Sequence, residues 1–246
     1  MTIPVHTGEL PYLTTSQMIE VDRAMMEDFR IDLIRMMENA GRALAHLARV
    51  RFLGGDPRGK KVVVLAGTGG NGGGALVCAR RLHNWGAQVT VHGTKPDEKF
   101  TPVPAHQLDI LRRMNVPVHP GEAVAGDESA DLVIDGVIGY SLRGAPTGTS
   151  GKLIRWANAQ NAPVLSLDAP SGIDTTTGTV FDPAVRATAT MTLALPKEGL
   201  RAQGVKANVG ELYLADISVP PALYAGPSLG LAVGHLFAES DILRLS

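Results

Sequence analysis

Three stretches of this 246-residue chain carry residue types that could do chemistry, and each follows a short apolar run. Gly67-Thr68-Gly69-Gly70-Asn71-Gly72-Gly73-Gly74 comes directly after Val62–Ala66. Glycines at that spacing let backbone N–H groups approach anionic oxygens, and a helix beginning behind them adds a field favouring negative charge. Asp135-Gly136 ends a second run and leads into Gly139-Tyr140-Ser141-Leu142-Arg143-Gly144-Ala145. Its carboxylate suits a cation or a sugar hydroxyl, and the loop offers backbone donors and one guanidinium for phosphate. Asp168-Ala169-Pro170-Ser171-Gly172-Ile173-Asp174 ends a third. An acid at a strand end, before a rigid Pro and a Ser-Gly turn, has little freedom and suits general acid–base work or a hydroxyl contact. Lys197, after Pro196, could bring a point charge to the same place, to steer phosphates or assist proton transfer. Blander roles compete: the three acids as turn caps, Arg143 and Lys197 as solvated surface charges. Ser171 has no neighbouring His or Lys to activate it, which argues against a nucleophile.

The elements that must carry these loops alternate in period. A first helix, capped by Thr14, Thr15 or Ser16, repeats Met18, Val21, Met25 and Phe29; a second, capped by Asp32, repeats Leu33, Ile34, Met37, Leu44 and Leu47. Its Ala40–Gly41 step would let another backbone come close. Strands are expected over 62–66, 88–92, 132–135, 164–167, 188–195 and 211–214, with helices over 75–85, 105–114 and 150–160. This alternation predicts an α/β fold, a Rossmann-like three-layer α/β/α sandwich with a mostly parallel central sheet. Residues 1–246 read as one domain with a core at about 13–220 and a tail, 221–246, to which no function is assigned. In such sheets the ligand crevice lies at the carboxyl ends of the strands, so the three loops should converge.

Composition removes other classes. Hydrophobic residues make up 44%, charged residues 19% and aromatics 4%, with a net charge of −1, which gives no basis for nucleic-acid or anionic-membrane binding. The lone Cys78 forms no internal disulfide, so a cytoplasmic location is expected. The seven histidines have no ligand spacing with Cys78, which disfavours zinc. Gly67–Gly72 satisfies G-x-G-x-x-G, yet the second strand ends in His92-Gly93-Thr94-Lys95 and lacks the acid that ordinary NAD-dependent hydride transfer uses. An NADP-dependent reductase using Lys95 has no Tyr–Lys pair to support it. Gly54–Lys60 imitates a P-loop but precedes its strand and is followed by Lys61 where Ser or Thr is required.

Taken together, Met37-Glu38-Asn39-Ala40-Gly41, Gly67–Gly74, Asp135–Gly144, Asp168–Asp174 and Leu195-Pro196-Lys197 resemble the NAD(P)H-hydrate epimerase family, the YjeF N-terminal domain, over about Leu13 to Pro220. The resemblance implies epimerisation of the R and S hydrates of NADH and NADPH, in which water has added to carbon six of the nicotinamide ring. It further implies a potassium ion held by Asn71, Asp135 and Ser171, Asp168 facing the hydrated ring with Lys197 assisting, and a nucleotide contacted by Gly69–Gly74 and by Gly139, Tyr140, Ser141, Leu142, Arg143, Gly144 and Ala145. The helical N-terminal segment could mediate a homodimer. The family's loop looks like G-x-G-N-N-G-G-D-G, whereas here Gly70 stands for the first Asn, Gly74 for the Asp and Ala75 for the last Gly. That departure leaves open a second reading, a nucleotide-binding relative that senses or scaffolds without turnover.

Overall fold

The computed structural model describes residues 3–126 and 128–246. In chain order the elements are β1 (Val5–His6), α1 (Thr15–Glu27), α2 (Leu33–Leu47), β2 (Lys61–Ala66), α3 (Gly70–Asn84), β3 (Gln88–Gly93), α4 (Pro102–Arg113), β4 (Val118–Pro120), β5 (Leu132–Gly136), α5 (Gly148–Ala159), β6 (Val164–Leu167), β7 (Ala189–Leu193), α6 (Lys206–Val209), β8 (Glu211–Ala215), α7 (Pro221–Ala225) and β9 (Ile242–Leu245). The strands form one sheet in the order β1-β9-β8-β7-β6-β5-β2-β3-β4. Every pairing is parallel except β8 with β9.

The central strands are buried on both faces, as their unbroken apolar runs require. Val62, Val64, Ile134, Leu165 and Met191 point into a core closed by α2, α3 and α4, while Val63, Leu65, Val133 and Val164 meet Leu153, Ile154 and Trp156 of α5 on the other side. The expected three-layer α/β/α architecture is present. A third cluster ties α1 to Leu195, Ile217 and Leu223 at the carboxyl end of the sheet.

Two expectations shift. The helix after the glycine run begins at Gly70, not Ala75, because Gly72, Gly73 and Gly74 are helical and buried. A β-carbon on Gly72 would lie 1.8 Å from the Gly67 carbonyl oxygen, and one on Gly73 would lie 2.4 Å from Met37 Sδ. The tail is also structural, since β9 enters the sheet between β8 and β1. Gly41 does permit a close approach: its missing β-carbon would stand 2.5 Å from the Gly74 carbonyl. Glu38 locks the same α2–α3 contact by accepting from Arg80 at 2.6 Å.

From β2 the chain winds outward to β3 and β4, and β5 then restarts on the opposite side of β2. The sheet therefore has its topological switch point between Ala66 and Gly136, where a crevice opens at the strand ends. Gly67 seals its floor: its N–H donates to the Gly136 carbonyl at 3.0 Å.

Candidate active site

The carboxyl ends of β5, β6 and β7, the start of α3, and the faces of α1 and α2 enclose a cavity of about 460 Å³, within the size range of small-molecule sites. Its helical wall is mostly apolar, built from residues such as Met18, Leu33, Met36 and Ala40, and its floor carries Asn71, Tyr140 and Asp168. Of the residues expected to contact a nucleotide, Gly70, Asn71, Gly139, Tyr140, Ser141 and Asp168 line it. Gly69 caps α3 without a side-chain bond, leaving the first N–H groups of the helix free of a capping side chain. Gly72, Gly73 and Gly74 lie beneath the cavity as packing glycines, and Arg143, Gly144 and Ala145 are exposed on the loop beyond it. Leu142 is half-buried in that loop.

Asp168 is 3% exposed and adopts a left-handed backbone, φ 65°, which short polar side chains tolerate better than others. Its N–H donates to Met191 O at 2.7 Å, fixing the turn onto β7. One carboxylate oxygen, Oδ1, takes the ammonium of Lys197; the other, Oδ2, accepts the Tyr140 N–H at 3.1 Å. Lys197 is fully buried and spends its remaining donors on Thr192 Oγ1 at 3.2 Å and Leu193 O at 2.7 Å. Neither a solvated Lys197 nor one that steers phosphates fits this arrangement, because the side chain stands behind Asp168 with every proton engaged. Its backbone is clasped by the segment before α1: Leu13 N–H donates to Pro196 O at 2.8 Å, and Glu198 N–H to Leu13 O at 2.9 Å. Removing one member of such a pair strands the other as a buried charge, at a cost of roughly 3–5 kcal/mol.

Asp135 is wholly buried and accepts from Ser171 Oγ at 2.6 Å, Val137 N–H at 3.2 Å, Ser166 Oγ at 2.8 Å and Ser171 N–H at 2.9 Å. Burial pushes its carboxyl up from the ordinary range, and the Ser171 bonds oppose that. Ser171 Oγ also accepts Ile138 N–H at 2.9 Å, so Asp135 and Ser171 tie the loop after β5 to the turn after β6. Asn71 differs: its side-chain oxygen and nitrogen are both buried without a hydrogen-bond partner among the described residues. It stands beside Gly139, where a β-carbon would be 3.2 Å from Asn71 Oδ1 and 3.0 Å from Asp168 Oδ2. Asp174 is a turn acid, accepting from the N–H groups of Thr176 at 2.9 Å and Thr177 at 2.7 Å.

Among the cavity residues that the sequence reading does not name, one is a half-buried acid bonded to the loop after β5. Asp22 of α1 lines the pocket and accepts the Tyr140 hydroxyl. Its signal was a charge set among Met18, Val21 and Met25, on a face that should otherwise be apolar.

Comparison with known proteins places the chain by family and by fold. The model of the family described as YjeF-related protein N-terminus matches residues 33–199. The chain is 43% identical over 219 residues to the NAD(P)H-hydrate epimerase of Dehalogenimonas lykanthroporepellens, covering 88% of this chain and 86% of that one. It is 34% identical to the bifunctional NAD(P)H-hydrate repair enzyme Nnr of Salinibacter ruber, over 86% of this chain but only 41% of that longer protein. The crystal structure of yeast ynu0 shares the fold, with a TM-score of 0.80 at 24% identity over 96% of this chain and 100% of that one. The ordered loops, the sheet they cap and these relatives lead to one assignment: the chain belongs to the YjeF-related protein N-terminus family.

Proposed function

We propose that the chain is an isomerase that interconverts the R and S forms of hydrated NADH or NADPH, NADHX and NADPHX. The observation that carries this reading is Asp168, a buried carboxylate ion-paired to Lys197 on the floor of a cavity that opens beside the free first turn of α3. Inversion at carbon six needs reversible loss of one of its substituents. In the ring-opening route, a base takes the proton of the 6-hydroxyl, the bond from carbon six to the ring nitrogen breaks, and the nitrogen receives a proton; rotation and the reverse steps close the other epimer. No electrons are gained or lost. Asp168 is the base, positioned by Lys197 and by the Tyr140 N–H. The apolar wall from α1 and α2 limits water around the opened intermediate, and the first turn of α3 offers its N–H groups to a phosphate.

A potassium ion belongs to the same reading, held by Asn71, Asp135 and Ser171. Two features of the chain suit it: the unpartnered buried amide of Asn71, and a fully buried Asp135 that has no ion-pair partner among the described residues. Oxygen donors of this kind suit a hard cation. When bound, the ion would supply positive charge that offsets the burial of Asp135 and gives the buried Asn71 Oδ1 a partner.

The test is to mix the purified protein with an S-specific dehydratase and both hydrates. Consumption of the R hydrate faster than its spontaneous epimerisation supports the proposal. Stabilisation by an adenine nucleotide with no such acceleration would favour the sensing or scaffolding reading instead.

A further inference from the structure

Asp22 and Asp168 line the same cavity, and Tyr140 touches both. The Tyr140 hydroxyl donates to Asp22 Oδ2, and its backbone N–H donates to Asp168 Oδ2 at 3.1 Å. The two carboxyl groups differ in their company. Asp168 has the Lys197 ammonium on Oδ1. Among the described residues Asp22 has no cation within hydrogen-bonding distance: its helical neighbour Arg23 is committed to Glu20 at 2.8 Å, Glu27 at 3.1 Å and Asp28 at 2.9 Å. Leu33, Met36, Met37 and Ala40 of α2 bring only apolar surface to the same cavity.

We propose that Asp22 is the proton donor that complements Asp168, delivering a proton to the ring nitrogen as the bond to carbon six opens and recovering it as the other epimer closes. This rests on the epimerase reading above. With Oδ2 accepting from Tyr140, a protonated Asp22 keeps Oδ1–H to offer to the cavity. The balance is closed: Asp168 gains the hydroxyl proton, the nitrogen takes the proton of Asp22, and ring closure returns both. Burial raises the Asp22 carboxyl above its ordinary range, Asp168 adds to that by repulsion, and the Tyr140 hydroxyl and Lys197 act against it. A carboxyl raised by its surroundings beside a second carboxylate is an arrangement that acid–base catalysis uses.

The experiment is the pH profile of epimerisation by the full chain and two variants. D22N keeps an oxygen for Tyr140 but has no transferable proton; kcat should fall about 100-fold and the alkaline limb of the profile should disappear. Y140F removes a bond that favours the charged form of Asp22, so its alkaline limb should move to higher pH, an effect that a purely structural Tyr140 would not produce. If the unmodified chain is active and D22N matches it in kcat and in profile, or if Y140F leaves the limb in place, Asp22 is not the donor. If the unmodified chain does not epimerise at all, the epimerase reading fails and this proposal falls with it.

Discussion

Gly139 stands so close to Asp168 that a β-carbon on it would lie 3.0 Å from Oδ2 of the carboxylate. The same β-carbon would lie 3.1 Å from Cγ of Asn71. Both neighbours are side-chain ends, so Gly139→Ala should fold, with Asp168 and Asn71 displaced by a few tenths of an ångström. Misplacement on that scale at a reacting group is expected to lower kcat by at least about 10-fold. Steady-state kinetics beside a thermal melt checks this; an unchanged kcat would mean that the oxygen nearest Gly139 takes no part in the chemistry.

Gly70 and Gly74 look alike in sequence and should respond in opposite ways. Around a β-carbon on Gly70, among the described residues, only Met37 Cε comes near, at 3.8 Å, so Gly70→Asn should change stability by no more than about 0.5 kcal/mol and tighten nucleotide binding. At Gly74 the new carbon would meet Leu167 Cδ2 at 2.8 Å inside the core, and Gly74→Asp would bury a carboxylate there. It should cost at least about 2 kcal/mol. Urea denaturation and calorimetric titration with NADPH separate the two outcomes.

Potassium should stabilise the chain through Asn71. In thermal melts at equal ionic strength, potassium chloride should raise Tm relative to tetramethylammonium chloride, by mass action on the native state. Asn71→Leu should abolish the difference. A difference that survives this substitution would remove Asn71 from the ion's ligands.

Far from the cavity, Glu211 accepts from Arg51 Nε and Nη2, both at 2.9 Å, and from the Tyr213 hydroxyl at 2.7 Å. Arg51 first, and then Tyr213, hold its carboxyl down at about 2 against an ordinary 4.5, in spite of partial burial. The folded state therefore releases this proton more readily than the unfolded chain, so the stabilisation is present above pH 4.5 and fades as pH falls toward about 2. Because the Arg51 side chain is 43% exposed, solvent screening limits the effect to about 1 kcal/mol. Glu211→Gln should flatten acid unfolding over that window, as followed by circular dichroism.

What could be read from the sequence was what local pattern determines. Val164–Leu167 is a strand with the expected bounds because a short apolar run after a turn has few other uses in an alternating chain. The convergence of Asn71, Gly139 and Asp168 followed from where parallel strands end. The start of α3 was hidden because glycine disfavours helix, and here close packing against Gly67 and Met37 overrides that propensity. The partner of β9 could not be read from local pattern: a short strand that pairs with β8 on one side and with the far end of the chain on the other has no nearby signal. The burial of Lys197 has no local signal for a similar reason, since it depends on Leu13, Thr192 and Asp168 together.

The enclosure of Lys197 makes it a sentinel as well as a support. An acylating reagent that labels surface amines cannot reach its Nζ while Leu13 holds the backbone and Asp168, Thr192 and Leu193 hold the side chain. Its labelling rate would therefore measure how often that corner of the molecule breathes open, and a ligand that fills the neighbouring cavity would slow the clock.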